Sequence, residues 1–505
     1  MKKKYALFIL LLLASGLLKS QIYTPVKTGF SGVINPVMSW VIPSDTNAIS
    51  YAFLSGENYV NNQHYVIARF DKNFDHKRYF VNVSAPFPVL YRGDAAAADY
   101  NKDGRTDLVM TGLNSNGVPE MDLFRDDGSG HFSQVPGPFE GQYDGSIEWG
   151  DYDHDGDLDI LVTGKLANNK LATIIYRNDG GGKFTKIVTD IPGVYDGSAR
   201  WGDFEGNGYL DVLITGDDGN GPVTAIYRYL NGRYVLLNQQ FVPLENSAAA
   251  CADFNGDGKI DFFVTGKNQY GFPECHMYEN IGKGNFKDVA IAIRPLMRGS
   301  VDAADFDHDG RIDLLMTGES SERPYTLIYH NNKDFNFIEV PNTIPGVVNG
   351  KALWGDYDHD GDMDILISGI DVCYDFVGAI YRNIINPPKE ESSYSTSIFN
   401  DTPTPVYSRG PYYYYVFSSC YCDPTGGNHP NYHMYISNVH LEKSAYNLNY
   451  RFNDLLLKLV PNWNKTDRGH RTSNGFLTKK EAEQSRQEMI NSYRSTHFKI
   501  HYLNW

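Results

Sequence analysis

Six short apolar runs recur along the chain, each ending in Thr-Gly or Ser-Gly: LVMTG, ILVTG, VLITG, FFVTG, LLMTG and ILISG. Beyond each run an aromatic falls in step: Phe124, Tyr176, Tyr227, Tyr278, Tyr329 and Tyr381. A Gly-rich turn and a second aromatic follow, as from Asn178 to Phe184 and from Asn280 to Phe286. Apolar runs this short, bounded by turn residues, predict strands rather than helices. Each unit reads as four short strands, and successive units are spaced by 52, 52, 50, 52 and 51 residues. A four-stranded unit repeated in tandem predicts an all-β fold, a β-propeller.

The count comes to seven blades. Tyr51 to Gly56 (YAFLSG) aligns with Asp107 to Gly112 (DLVMTG) and marks a degenerate first blade. The last unit stops at Asn383 without a fourth strand. The segment from Ile22 to Phe30 (IYTPVKTGF) resembles that missing strand; compare Phe184 to Gly193 (FTKIVTDIPG). The N-terminal strand is therefore expected to pair into the last blade and close the ring, leaving no open seam.

Before each apolar run lies an acidic loop. The six loops are Asp99, Asn101, Asp103, Asp107; Asp151, Asp153, Asp155, Asp159; Asp203, Glu205, Asn207, Asp211; Asp253, Asn255, Asp257, Asp261; Asp305, Asp307, Asp309, Asp313; and Asp356, Asp358, Asp360, Asp364. Side-chain oxygens at positions 1, 3, 5 and 9 are joined by a backbone carbonyl at position 7, from Arg105, Asp157, Tyr209, Lys259, Arg311 and Asp362. An all-oxygen set suits a hard cation with flexible coordination, and Ca²⁺ fits best, at about six sites. Glycine at position 6 permits the sharp bend. The loop is not an EF-hand: position 12 is Met110, Val162, Ile214, Val264, Met316 or Ile367, never Glu, and falls in a strand. The third loop is the weakest of the six, because Glu205 and Asn207 replace aspartates. The segment from Pro43 to Tyr51 in blade 1 lacks the ligand pattern, so no metal is expected there.

These loops resemble the FG-GAP/VCBS repeat family, the calcium-loop blades of integrin α-subunit propellers and of many bacterial secreted proteins. The resemblance covers residues 25–385. It implies a seven-bladed propeller with calcium between the strands, used mostly for binding or adhesion. Blade 1 departs from the family by lacking the loop. The family does not settle a ligand, since propellers host many functions.

Charge and composition refine this picture. The chain has 505 residues and a net charge of −16, against the basic face that a nucleic-acid binder needs. Lys2, Lys3 and Lys4 precede an apolar stretch from Tyr5 to Leu13 and then Ala14, Ser15 and Gly16, the order of a secretory signal. Residues 1–20 are expected to be removed after Gly16 or Ser20. The protein is then secreted or held at a cell surface, and is not an integral membrane protein. Residues 21–385 form the propeller.

Residues 386–394, Pro- and Ser-containing, read as a linker. Residues 395–505 carry no repeat and predict a small α+β C-terminal domain. Tyr412 to Ser418 and Tyr432 to Val439 read as strands. Thr478 reads as an N-cap before a helix over Lys479 to Tyr493, and Phe498 to Trp505 as a last strand. Cys420, Cys422, His429 and His433 offer zinc ligands, although Cys-x-Cys is a poor spacing and Pro430 disfavours a helical His pair. A loop with partly buried aromatics, or a disulfide to Cys373, is expected ahead of a metal site. Cys251 and Cys275 sit in one repeat, as a disulfide or as neighbouring buried thiols.

The leading expectation is a binding or adhesion module for a surface glycan or extracellular protein. The alternatives are a secreted polysaccharide-acting enzyme, or a propeller-targeted effector whose activity lies in the C-terminal domain. Neither His-Glu-x-x-His nor Gly-x-Ser-x-Gly is present, and no catalytic residue is assigned. Trp149, Trp201 and Trp354, each before a Gly-Asp, are expected to pack between blades rather than offer a sugar platform.

Overall fold

A computed structural model describes residues 23–384, except 27, 29, 47, 61–62, 74–79, 129 and 322. Between 412 and 503 it describes strands and one helical stretch. The predicted signal segment and linker lie outside the described residues. The chain divides into two units, one of Met1–Asp371 with Asp375–Glu391 and the other of Val372–Tyr374 with Ser392–Trp505.

The first unit is a seven-bladed β-propeller. Blade 3 shows the plan: Tyr143–Gly150, Asp159–Lys165, Leu171–Asn178 and Phe184–Val188 pair antiparallel in that order. Six blades are four consecutive strands each, beginning at Ile34, Leu90, Tyr143, Tyr195, Glu245 and Val301. Blade 7 takes three strands from Val348–Gly355, Asp364–Ile370 and Phe376–Asn383, and its fourth from the N-terminal Tyr23–Val26. That strand runs antiparallel to the third, with Tyr23 opposite Asn383 and Thr24 opposite Arg382. The first strands of successive blades pack side by side around the axis, and those of blades 1 and 7 meet.

Burial follows strand position. The second strand of each blade is the apolar run, for example DILVTGK at 159–165, buried throughout except its last residue. It is covered on both faces by neighbouring blades, which is why it reads as continuous rather than alternating hydrophobicity. The fourth strand at the rim alternates, with Phe184 buried and Thr185 exposed.

At the start of each first strand, or in blade 6 just before it, one residue is left-handed: Asn35, Arg92, Asp144, Asp196, Asn246, Arg298 and Asn349, with φ between 47 and 57°. In six blades the register shifts there by a bulge. Glycine follows in five of the seven. At Gly93 an added Cβ would lie 1.9 Å from the Thr111 carbonyl oxygen, so no larger residue fits. These seven residues ring one mouth of the axial channel.

In the second unit, Tyr412–Tyr414 pairs with His440–Glu442. A four-stranded sheet has the order Arg471–Thr472, Val416–Cys422, Asn431–Ser437, Lys499–Leu503, with the last pair parallel. Helical residues between 479 and 490 precede the parallel strand, and Ala482 and Ile490 are fully buried. Thr478, His429 and the apolar stretch from Asn453 to Val460, which reads as a strand or a short helix, lie outside the described residues. Cys420 stands opposite His433 in the backbone register, and the side-chain arrangement of that cluster also lies outside what is described. Cys251 and Cys275 are free thiols, so the disulfide alternative is not the one formed. Burial raises the pKa of both, that of Cys275 to about 12. Among the described residues no helix is long and apolar enough to cross a membrane.

Candidate metal centres

Each acidic loop joins the first and second strands of its blade, on the face away from the left-handed ring. All six fold alike. The first aspartate accepts the backbone N–H groups of positions 5 and 6, at 2.8–3.1 Å, from Asp99 through Asp151, Asp203, Asp253 and Asp305 to Asp356. The position-5 side chain (Asp103, Asp155, Asn207, Asp257, Asp309 or Asp360) accepts the N–H of position 7, namely Arg105, Asp157, Tyr209, Lys259, Arg311 or Asp362. Position 6 must be left-handed, at φ 84° for Gly104, with open space around it. Glycine is therefore required by conformation and not by crowding.

The closing aspartates Asp107, Asp159, Asp211, Asp261, Asp313 and Asp364 are fully buried. One oxygen of each accepts a backbone N–H from the third strand, at 2.7–2.8 Å. In five loops the other oxygen accepts the N–H of position 2. In the first loop Asp107 Oδ2 is buried with no hydrogen-bond partner. Burial is the main cause that lifts these carboxyls, Asp107, Asp159 and Asp211 to about 7 and Asp261 to about 6.

Position 3 separates the loops into kinds. In three loops it is aspartate, and Asp153, Asp307 and Asp358 each keep one buried oxygen, Oδ1, without a hydrogen-bond partner. Those same loops gather three carboxylates within 4.8 Å: Asp151, Asp153 and Asp159; Asp305, Asp307 and Asp309; Asp356, Asp358 and Asp360. In the loops at Asp99 and Asp253, Asn101 and Asn255 turn back to accept the N–H of position 5 at 2.9 Å. In the third loop Glu205 is held by Arg228 at 2.9 Å. Position 7 adds a cation in three loops, where Arg105, Lys259 and Arg311 pair with Asp103, Asp257 and Asp309. These are partly exposed pairs of small energetic weight.

Orphaned, buried carboxylate oxygens beside other carboxylates are costly unless a cation completes them. The donor set is all oxygen in five loops, which fits a hard divalent ion. In the loop at Asp305 a nitrogen joins it: His330 Nδ1 lies 3.3 Å from Asp307 and 3.4 Å from Asp313. Asp313 is the main cause that raises the His330 pKa.

Two features of the loops are tertiary. Aromatics at position 2 receive tryptophans of the next blade: Trp149 stacks on Tyr100, Trp201 on Tyr152, Trp354 on Phe306 and Trp40 on Tyr357, with centroids 5.6–5.9 Å apart. Trp201 and Trp354 are buried, so these indoles are inter-blade packing. The second feature is an asparagine at the end of the third strand. Asn178 and Asn280 donate through Nδ2 both to their own loop and to the loop of the preceding blade, at 2.9–3.3 Å. Its sequence trace is the recurring Asn after the aromatic in YRN, YEN and YHN.

The channel charges are engaged in joining blades. Glu148 accepts the Trp201 N–H at 2.9 Å, Asp302 accepts that of Trp354 at 2.8 Å, and Arg200 donates to the Ala249 carbonyl at 3.1 Å. Lys351 pairs with Asp94. At the mouth Arg92 makes two hydrogen bonds to Asp144, at 2.6 and 2.5 Å, and Lys165 joins them at 3.2 Å. The cavity lined by Arg92, Asp94, Asp144, Arg200 and Lys351 measures about 210 Å³.

No curated protein matches the chain. Among solved structures, the Aleuria aurantia lectin is 11% identical with a TM-score of 0.35, over 62% of this chain and 99% of that one. The GH93 α-L-arabinofuranosidase of Fusarium graminearum is 10% identical with a TM-score of 0.39, over 72% and 97%. The V. cholerae biofilm matrix protein Bap1 is 10% identical with a TM-score of 0.35, over 73% and 92%. Likenesses this distant carry no argument about ligand or activity. The FG-GAP-like repeat model matches residues 99–162, 253–316 and 305–367. Those three matches contain five of the six acidic loops, and over those residues the repeats of the chain are FG-GAP-like.

Proposed function

We propose that the chain is an exported, calcium-organised propeller that serves as a binding or adhesion module for a surface glycan or an extracellular protein. The observation that carries the metal half is the set of buried, partnerless oxygens on Asp153, Asp307 and Asp358, each in a cluster of carboxylates. Bound calcium would supply positive charge to the loops and fix the hairpin between the first and second strands. Asp99, Asp151, Asp203, Asp253, Asp305 and Asp356, with positions 3, 5 and 9 of their loops, would hold it.

Binding rather than catalysis is supported by how the channel charges are spent. Glu148, Arg200 and Asp302 bond the backbone of the neighbouring blade, and Asp94 and Lys351 pair with each other. The face opposite the acidic loops is freer. There the hairpin between the second and third strands of blade 5 exposes Tyr270 by 74% and Phe272 by 64%. Two neighbouring exposed aromatics on a rigid hairpin suit stacking against a sugar or packing in a protein groove.

The test is a glycan and cell-surface binding screen with the protein, run in calcium and in EDTA, with a melting curve in each. Calcium-dependent binding and a lower melting point in EDTA are expected. An unchanged melting point would refute the calcium reading. A calcium-stabilised protein that binds no surface would refute the adhesion reading and direct attention to residues 395–505.

A further inference from the structure

One residue position distinguishes the loop of blade 7 from the other five. Near the end of the third strand stand Arg125, Arg177, Arg228, Glu279, His330 and Arg382, one per acidic-loop blade. Arg125 and Arg177 pair on their own strand side, with Asp127 and Asp179, and are 48% and 40% exposed. Arg228 holds Glu205 alone, and Glu279 pairs with Lys287. His330 lies 3.3–3.6 Å from Asp307, Asp309 and Asp313 and is 22% exposed. Arg382 differs in being a buried guanidinium with short contacts. Its side chain is 4% exposed, and it bridges two ligand positions: Nε donates to Asp358 Oδ2 at 2.6 Å and Nη2 to Asp360 Oδ2 at 2.9 Å.

The bridge leaves a specific oxygen over. Asp358 is 2% exposed, and its Oδ1 has no hydrogen-bond partner although Asp356 and Asp360 oxygens lie within 4.8 Å. Arg382 thus gathers the carboxylates that an ion would otherwise have to collect. It offsets one negative charge in a loop that carries five, at Asp356, Asp358, Asp360, Asp362 and Asp364, so a divalent cation still meets net negative charge.

Arg382 also sits on the seam of the ring. Its backbone faces Thr24 of the closing N-terminal strand. Tyr23 donates through Oη to the Met363 carbonyl, inside the same acidic loop, at 3.2 Å, and accepts the Trp354 indole N–H at 3.2 Å. The neighbouring Asn383 pairs with Tyr23 and donates its N–H to Asp364 at 2.8 Å.

We propose that Arg382 is a positioning residue that makes the loop at 356–364 the tightest cation site of the six, and that occupancy of this site holds the closing strand in place. This rests on the calcium reading above. Ordering the bridge in advance lowers the cost of assembling the ligands, and outer-shell partners of this kind are typically worth about 10–100-fold in metal affinity. Because strand Phe376–Asn383 touches both the loop and Tyr23–Val26, like-charge repulsion in an empty loop loosens both together.

The experiment is a calcium titration of the full chain followed by calorimetry and by hydrogen exchange. In the unmodified protein, protection of residues 23–26 and 356–364 should rise together, at about tenfold lower free calcium than that of 99–107 and 253–261. Arg382→Gln should weaken the tightest class of sites by about tenfold or more and leave the others in place, with Arg382→Lys recovering part of the loss. Seam protection that follows the other loops, or ignores calcium while they respond, would overturn the proposal and leave the calcium reading intact. So would a Gln variant that binds as tightly or more tightly. No calcium uptake anywhere would overturn both. The exchange order in the unmodified protein decides the matter even if the variants fail to fold.

Discussion

Asn331 Nδ2 donates to the carbonyl of Phe254, 2.7 Å away in the acidic loop of the preceding blade, and to Ile312 of its own loop at 3.1 Å. Its backbone N–H meanwhile donates to the closing Asp313 at 2.7 Å. One residue so ties two loops and one candidate ligand. Asn331→Ala leaves two buried carbonyls unpaired, which costs about 1–3 kcal/mol each at most. A urea midpoint should fall in both calcium and EDTA. If it does not move, the bridge is not a structural joint.

The closing aspartates set a pH dependence. Their folded pKa values are raised, to about 7 for Asp107, Asp159 and Asp211 and about 6 for Asp261, above the ordinary value of 3.8. The fold therefore favours their neutral form. In EDTA this stabilisation is full below the ordinary carboxylate value and is lost as pH rises through 6 to 7. Calcium needs the ionised form, so the gap between melting points with calcium and with EDTA should widen from pH 5 to pH 8. Equal gaps at both ends would refute the assignment of these groups to the ion.

Trp354 is 7% exposed and stacks on Phe306 at 5.7 Å and 10°. Truncation of a buried aromatic of this size costs about 3–5 kcal/mol. Trp354→Ala should lower the melting point strongly, and Trp354→Phe much less. Were the indole instead a sugar platform, the alanine variant would stay stable and lose binding.

Tyr270 and Phe272 give the opposite expectation. Exposed as they are, replacing both with serine should change stability by less than about 0.5 kcal/mol. It should abolish retention on the surface or glycan that the unmodified protein binds. Full retention would remove this hairpin from the binding face.

The fold was legible because it repeats. The Thr-Gly runs gave the second strands, the acidic loops gave the period, and YAFLSG gave the seventh unit. The closing strand at Tyr23 was legible for the same reason, since it matches the rim strand of another blade. What stayed hidden comes from pairs that sequence spacing does not bring together. Asn331 and Phe254 lie 77 residues apart, and Arg382 and Asp358 lie 24 apart, one in the third strand of the blade and the other in its acidic loop. The left-handed mouth was visible as repeated Asp-Gly, Arg-Gly and Asn-Gly steps at residues 92, 144, 196, 298 and 349, but a Gly-containing dipeptide reads as an ordinary turn. Beyond Asn383 no repeat supports the reading, and strand boundaries shift: the expected Tyr412 to Ser418 is instead Tyr412–Tyr414 and Val416–Cys422.

Tyr23 meets Met363 across 340 residues of chain. Six blades are built from neighbours in sequence and can form one after another, but the seventh waits for two distant segments to find each other. That encounter carries the largest loop-closure entropy in the propeller and is expected to come last in folding. Until then the bare edge of Phe376–Asn383 accepts any extended partner, including the Tyr23–Val26 strand of a second molecule. Refolding at high concentration should therefore yield strand-swapped oligomers, and dilution should favour the closed monomeric ring.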